Sequence, residues 1–552
     1  MRLLTTMLAA LFVVGCQTAP PDYRVLTERL DSGVEVTPGE LREAFLDAGD
    51  LPARMERLSD LEQQALAIIE DEPLKLGSIG TAILDTYYGS LTGHYVLARF
   101  YHHVATEDAA ELHDAWVQRI ADDMTSNGDG SADRPLPAVT PVEAQMFAAS
   151  RGGDVVGSIY QSNDVAPFSL LLQVRQPEGA LTALHFDLSG LFESMRTEFA
   201  PESDAGEPPG DHEFTPFTLI GFLAKQNDTA AQAAIGAFLA TQNRLDDAAN
   251  WLRAASRTGN LLANSLLARI YWEQARTASD DALREQAMDQ VMENYLHAIA
   301  LGSADAMYAL GVLYLNGHYG DENKVSGVPL LKQADALGHG DAGLFLAHLH
   351  YTGEVVDKDL AAARDYYARA ADQGNEFARR SYARFLLDRD AGQAADPRAV
   401  AWLTEQAEAG DAESMLLLGN LHARGIGTRV STRRAVRWFK EAVKAAPEDA
   451  SIVNEVAWTL TVSSRDALRR ARYARDIMDR MMTANEAARQ RPEYLDTWAA
   501  TYAATGDFER AVTLQEEAVN VAQAADYDEV LDILQKHLGE FQAGRTLSED
   551  VP

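Results

Sequence analysis

The chain has 552 residues, 47% hydrophobic and 24% charged, a balance that suits a soluble globular protein and excludes wholesale disorder. Its 83 acidic residues against 48 basic ones give a formal charge of −35, so phosphate backbones are repelled and nucleic acid is excluded as a partner class. One cysteine excludes an intramolecular disulfide.

The first residues read as an export signal. Arg2 supplies a positive start and residues 3–14 are mostly apolar. The run falls short of the roughly 20 residues that a membrane-spanning helix needs. The only cysteine, Cys16, follows Val13-Val14-Gly15. This spelling resembles a bacterial lipobox, and the resemblance implies cleavage before Cys16 and diacylglycerol on its sulfur. Gln17 in place of aspartate implies, by the same resemblance, the outer membrane of a Gram-negative bacterium over retention at the inner one, and the periplasmic side is the expected location, although the spelling does not fix which side is faced. A signal peptide is therefore expected over residues 1–15 and a tether over 16–36.

Residues 37–200 read as a helical region followed by a small α+β domain. Apolar stripes at Leu41, Phe45 and Leu46, and at Leu58, Leu61, Leu66 and Ile69, have helical spacing. An aromatic-rich helix pair follows around Gly89 and Gly93, and residues 125–131 read as a break. Short strands are then expected from Val155 to Tyr160, Ser169 to Val174 and Leu181 to Leu188, packed against the preceding helices. The acidic loop around Asp129 lacks the closing glutamate of an EF-hand. His94, His102, His103 and His113 lack a zinc-binding spacing, and Ser90 lacks a nucleophile-elbow setting. No catalytic residue, metal site or cofactor is expected. The alternative of an enzyme or small-ligand sensor would place its site in residues 73–200.

Residues 201–216 are acidic and proline-rich and read as a linker and domain boundary. Everything beyond reads as helical, and part of it repeats. Gly302, Gly338, Gly374 and Gly410 lie 36 residues apart. The same step relates Gly311, Ala347, Ala383 and Gly419, and also Leu330, Tyr366, Trp402 and Trp438. A fixed period in this range marks stacked helical repeats. The spelling Ala304-Asp305-Ala306, Leu310-Gly311 and Tyr314, and later Leu418-Gly419, Gly425-Ile426-Gly427, Ala435 and Trp438, resembles the Sel-one-like repeat, a relative of the tetratricopeptide repeat. The resemblance implies a mainly α fold, a right-handed α-solenoid of helix-turn-helix units preceded by the small α+β domain. The solenoid is expected over 217–447, regular from 302 to 446. Tetratricopeptide-like repeats are expected over 448–524 and a capping helix with a tail over 525–552.

In that family the first helix of each pair lines the concave side. Carried onto this chain, the register places Tyr308 there, then His348 and Tyr351, then Arg380 and Arg384, then Asn420, with Asn454 in the following unit. Arg380 and Arg384 are one turn apart, which suggests a clamp for a carboxylate or peptide terminus. The expected function is a non-enzymatic, membrane-anchored periplasmic adaptor that binds proteins or peptides in the solenoid groove.

Overall fold

The computed structural model describes residues 22–199, 214–388, 395–525 and 527–550. The signal segment, Cys16, the first part of the tether and most of the acidic linker lie outside the described residues. The chain divides into two compact units, residues 1–309 and 310–552.

In the first unit the tether is shorter than the sequence suggested. Tyr23–Asp31 is a helix, begun by Asp22, whose carboxylate accepts from the Arg24 amide. Tyr23 meets the ring of Phe45 edge-on, its hydroxyl accepts from the Tyr88 amide, and Leu26 is wholly buried. Burial of these two side chains holds residues that proline-rich spelling nearby had assigned to a free tether. Helices Pro38–Leu46, Leu51–Ile68, Leu76–Thr86, Leu91–His103 and Glu107–Asn127 come next. The last runs through Thr125 and Ser126, whose hydroxyls bond back to carbonyls of the preceding turn, and stops only at Gly128.

Four strands form one sheet: β1 (Leu136–Pro137), β2 (Asp154–Gln161), β3 (Ser169–Arg175) and β4 (Leu181–Asp187), in the order β1-β4-β3-β2. β2, β3 and β4 are the three expected strands and pair antiparallel. β1 is parallel to β4 and too short to give a periodic signal. Helix Pro141–Ser150 packs on β2 and β3, and Phe147 meets Phe186 edge-on.

The acidic linker does not separate the sheet from the helices beyond it. Helices Thr229–Thr241 and Leu261–Thr277 both pack against β2, an edge strand. Asn260 Nδ2 donates to the Ser158 carbonyl at 2.7 Å, so the strand's open edge is covered by the start of a helix. Gly157 permits the approach: a Cβ there would lie 3.3 Å from both Asn260 Oδ1 and the Leu262 amide nitrogen. Tyr160 adds a bond from its hydroxyl to Asp228. The hydrophobic faces of these helices are completed by the sheet, a tertiary requirement that local composition does not reveal.

The second unit is a run of helix pairs. Gly340–Thr352 is followed by Leu360–Asp372, Glu376–Leu387 by Pro397–Glu408, Ala412–Arg424 by Thr432–Ala445, Ala450–Val462 by Ala471–Ala484, and Pro492–Ala504 by Phe508–Ala524. The repeating columns are the core. Leu310, Leu346, Tyr382 and Leu418 are at most 2% exposed, and Ala363, Ala399 and Ala435 are wholly buried. Gly338, Gly374 and Gly410 have φ of 88°, 90° and 102°, so the glycine column ends each second helix in a left-handed residue, as its spelling implied. Helix Asp528–Gln542 caps the array with Leu534 and Phe541. The tail then returns: Glu549 pairs in parallel with Ser463, and His537 is held against Asp496 at 2.9 Å.

Candidate functional site

The first helices of three successive pairs, Glu376–Leu387, Ala412–Arg424 and Ala450–Val462, lie side by side in the second unit. Each starts in the same way. The side chains of Asn375, Asp411 and Asp449 accept from backbone amides of the first turn, which fixes where the helix begins and so which residues share its exposed face. Between them runs a groove of about 560 Å³. Leu387, Leu416, Leu417 and Ile452 supply its apolar lining. Arg384, Asp388, Glu413, Asn420, Arg424, Asp449 and Glu455 supply its polar atoms.

The arginine pair is not an open carboxylate clamp. Glu413, on the next first helix, already occupies it: Arg380 Nε approaches Glu413 Oε2 at 3.1 Å and Arg384 pairs with Glu413 Oε1. Arg380 also lies 3.6 Å from Asp411. An incoming carboxylate would have to displace Glu413 from two guanidinium groups. With Arg384 and Glu413 paired, the lining keeps three carboxylates, Asp388, Asp449 and Glu455, against one guanidinium, Arg424, and its balance is acidic. Arg424 is turned to the backbone, donating to the Leu387 carbonyl.

Asn420 is 3% exposed and donates through Nδ2 to Glu455 Oε1 at 3.3 Å. Its Oδ1 receives no hydrogen bond from any described residue. The Glu455 residue is exposed overall, but its carboxyl is desolvated in the groove, which raises its pKa; the Asn420 bond and the Arg384 charge oppose the rise.

The other expected groove residues are dispersed. Tyr351 donates to Asp388 and so braces the groove rim, whereas His348 is exposed. Asn454 stands on the third helix, half-buried and outside the groove lining, with Oδ1 unbonded. Tyr308 belongs to the first unit and is half-buried. Asp388, Arg424 and Glu455 were missed. Asp388 and Arg424 are themselves 36 residues apart, one position beyond the column that held Tyr351 and Leu387, so the period contained them. Glu455 was hidden because the step changes: the caps Asn375 and Asp411 are 36 residues apart, but Asp411 and Asp449 are 38 apart.

Ser90, His94 and Asp129 are each engaged within their own local structure. The Ser90 hydroxyl accepts from the Gly93 amide and caps helix Leu91–His103. His94 is wholly buried, stacked on Trp116 at 5.1 Å. Its Nε2 donates to the Tyr88 carbonyl at 3.0 Å, so its Nδ1 accepts from His113 Nδ1–H at 2.9 Å. Asp129 bonds the Ser131 amide and Arg134 within its own turn. Among the described residues no group of three or more potential ligands converges on a metal position.

Three segments of the chain, residues 304–339, 341–375 and 412–446, match the Sel1 repeat family. These segments are Sel1 repeats. The Sel1 repeats bracket the groove's first helix, Glu376–Leu387, which falls in the stretch where the turn glycines are missing. An array of such repeats is a protein-interaction scaffold, a stacked architecture that offers extended surface to partners. Among solved structures, the chain is similar to a Sel1 repeat protein from Oxalobacter formigenes, at 27% identity over 41% of this chain and 91% of that one, with a TM-score of 0.33. It is also similar to c5321, a protective antigen present in uropathogenic Escherichia coli strains displaying an SLR fold, at 15% identity over 96% and 99% of the two chains, with a TM-score of 0.40. Yeast Tom70 matches at 10% identity over 93% and 94%, with a TM-score of 0.28. No curated protein matches the chain.

Proposed function

We propose that the protein is a membrane-anchored periplasmic adaptor that holds extended, basic segments of partner proteins in the groove between helices Glu376–Leu387, Ala412–Arg424 and Ala450–Val462. The observation that carries this reading is the groove itself. It joins an apolar floor to an acidic lining and to Asn420 Oδ1, a buried acceptor with no donor among the described residues. A peptide supplies what is missing: N–H donors along its backbone, apolar side chains for the floor, and cations for Glu455 and Asp388. The lipobox spelling at Cys16 supports the anchor and the compartment.

The test is fluorescence anisotropy with two labelled peptides, alternating glycine–lysine and alternating glycine–glutamate, titrated with the full chain. The lysine peptide is expected to bind tighter. An acidic coat attracts any cation, so the decisive comparison uses Glu455→Gln, which retains an acceptor for Asn420 and removes one charge. Affinity for the lysine peptide is expected to fall roughly fivefold, about 1 kcal/mol, at low salt. Equal binding of both peptides, or an unchanged affinity in Glu455→Gln, would remove the proposal.

A further inference from the structure

A second recess, wholly within the first unit, has the opposite electrostatic character. It lies where helices Leu245–Ser256, Leu261–Thr277 and Asp281–Ala300 meet, and its volume is about 530 Å³. Arg253 and Arg257, one turn apart, line it. Arg253 Nε donates to the Tyr271 hydroxyl and its Nη1 to Asn250 Oδ1, both at 3.0 Å. Neither guanidinium pairs with a carboxylate among the described residues. The recess is thus lined by two basic side chains in a chain with 83 acidic and 48 basic residues.

Both arginines are exposed, and the bonds to Tyr271 and Asn250 fix the position of Arg253. Tyr271 is 9% exposed, and because its oxygen accepts from Arg253 its own hydrogen remains to be donated into the recess. Leu267, 1% exposed, supplies an apolar wall. Glu293 is the only carboxylate of the lining, and its Oε2 accepts from Gln290 Nε2 at 3.0 Å. The lining carries two guanidiniums against one carboxylate.

We propose that this recess binds an organic monocarboxylate. Its two oxygens are taken by the Arg253 and Arg257 forks and the Tyr271 hydroxyl, and its apolar body lies along Leu267. The net charge of the lining matches a monoanion; Glu293 opposes a dianion. A protein C-terminus and a free aliphatic acid share this chemistry. The site is independent of the groove in the second unit and of the partner proposed for it.

The test uses phenylglyoxal, which condenses with guanidinium groups, on the full chain, with modification of each arginine followed by peptide mass spectrometry. Acetyl-Ala-Leu-Leu with a free carboxylate, its C-terminal amide, hexanoate and inorganic phosphate are compared at millimolar concentration. The expected result is a slowing of roughly fivefold at Arg253 and Arg257 by the free acid, as occupancy of four sites in five gives, with exposed Arg429 unaffected. Protection by the tripeptide acid alone identifies a protein C-terminus, and equal protection by hexanoate identifies a small acid. Tyr271→Phe keeps the ring and is expected to weaken protection at both arginines. Equal protection by acid and amide, stronger protection by phosphate, or no protection by any carboxylate would overturn the assignment.

Discussion

Glu62→Gln is expected to stabilise the first unit by about 3 kcal/mol at pH 7 and about 4 kcal/mol at pH 8, and to leave it nearly unchanged at pH 4. Glu62 is 1% exposed on helix Leu51–Ile68. Burial raises its pKa to about 8, and the Glu143 carboxyl adds to the rise. The Thr140 and Thr92 hydroxyls lean toward it and offset only part of that, without hydrogen-bond geometry at either oxygen. Below its ordinary value of 4.5 the side chain is protonated in both folded and unfolded chains, and stability is complete. As pH rises from 4.5 toward 8, the unfolded chain gives up the proton while the folded chain keeps it, so stability is lost. Glutamine keeps the shape of the neutral acid and removes the ionisation. Thermal unfolding of wild type and variant across this range checks it: a shift of several degrees at pH 7 and none at pH 4 is the expected pattern. A shift independent of pH would show that Glu62 does not titrate as its burial requires.

Acid is expected to act on the same unit through His94. Burial, reinforced by the neighbouring His113, lowers its pKa to about 3, against which the bond to the Tyr88 carbonyl acts weakly. Here the folded chain resists protonation. Stability is complete above the ordinary histidine value of 6.5 and falls as pH drops toward 3, by about 3 kcal/mol at pH 4. His94→Phe keeps an aromatic ring on Trp116 and removes the titrating nitrogen, so its unfolding temperature is expected to vary less between pH 6.5 and pH 4 than that of wild type. Glu62 and His94 lose stability in opposite directions of pH. Their combined contribution is therefore greatest between the two ordinary values, near pH 5.5 as an order-of-magnitude placement. An unchanged acid slope in His94→Phe would assign it to other groups.

The sequence was legible where one residue type has one physical reason to recur. Glycines at 338, 374 and 410 each occupy a left-handed backbone position, and the alanine column 363, 399 and 435 is wholly buried. The period therefore located the helix pairs, and short apolar runs separated by Pro167 and by Gln176-Pro177-Glu178-Gly179 located β2, β3 and β4. What it did not carry was partnership. Leu26 and Tyr23 look like tether residues until Phe45 and Tyr88 are beside them. Residues 201–216 look like a boundary until Asn260 and Asp228 are found bonded to β2.

The same limit applied to the groove. Arg380 and Arg384 share a helix face, as spacing required, but spacing cannot show that Glu413 comes from the next repeat to fill them. The charge of the groove is consequently opposite to what two arginines suggest. Glu455 could be found only after the two-residue lengthening before Asp449 was known, since it shifts every position of the following helix. Arg253 and Arg257 have the same spacing as Arg380 and Arg384, yet they lie before the regular repeats, where no column drew attention to them.

The most direct measurement of the central claim is site-specific photocrosslinking in intact envelopes. A benzophenone amino acid is placed at Ser451, which lines the groove, or at Arg437, exposed on the second helix of a Sel1 repeat. The account predicts adducts from Ser451 that recover with the membranes, map to a basic extended segment of a partner protein and diminish with Glu455→Gln. Equal yields from the two positions, or adducts to acidic segments that Glu455→Gln leaves unchanged, would contradict it.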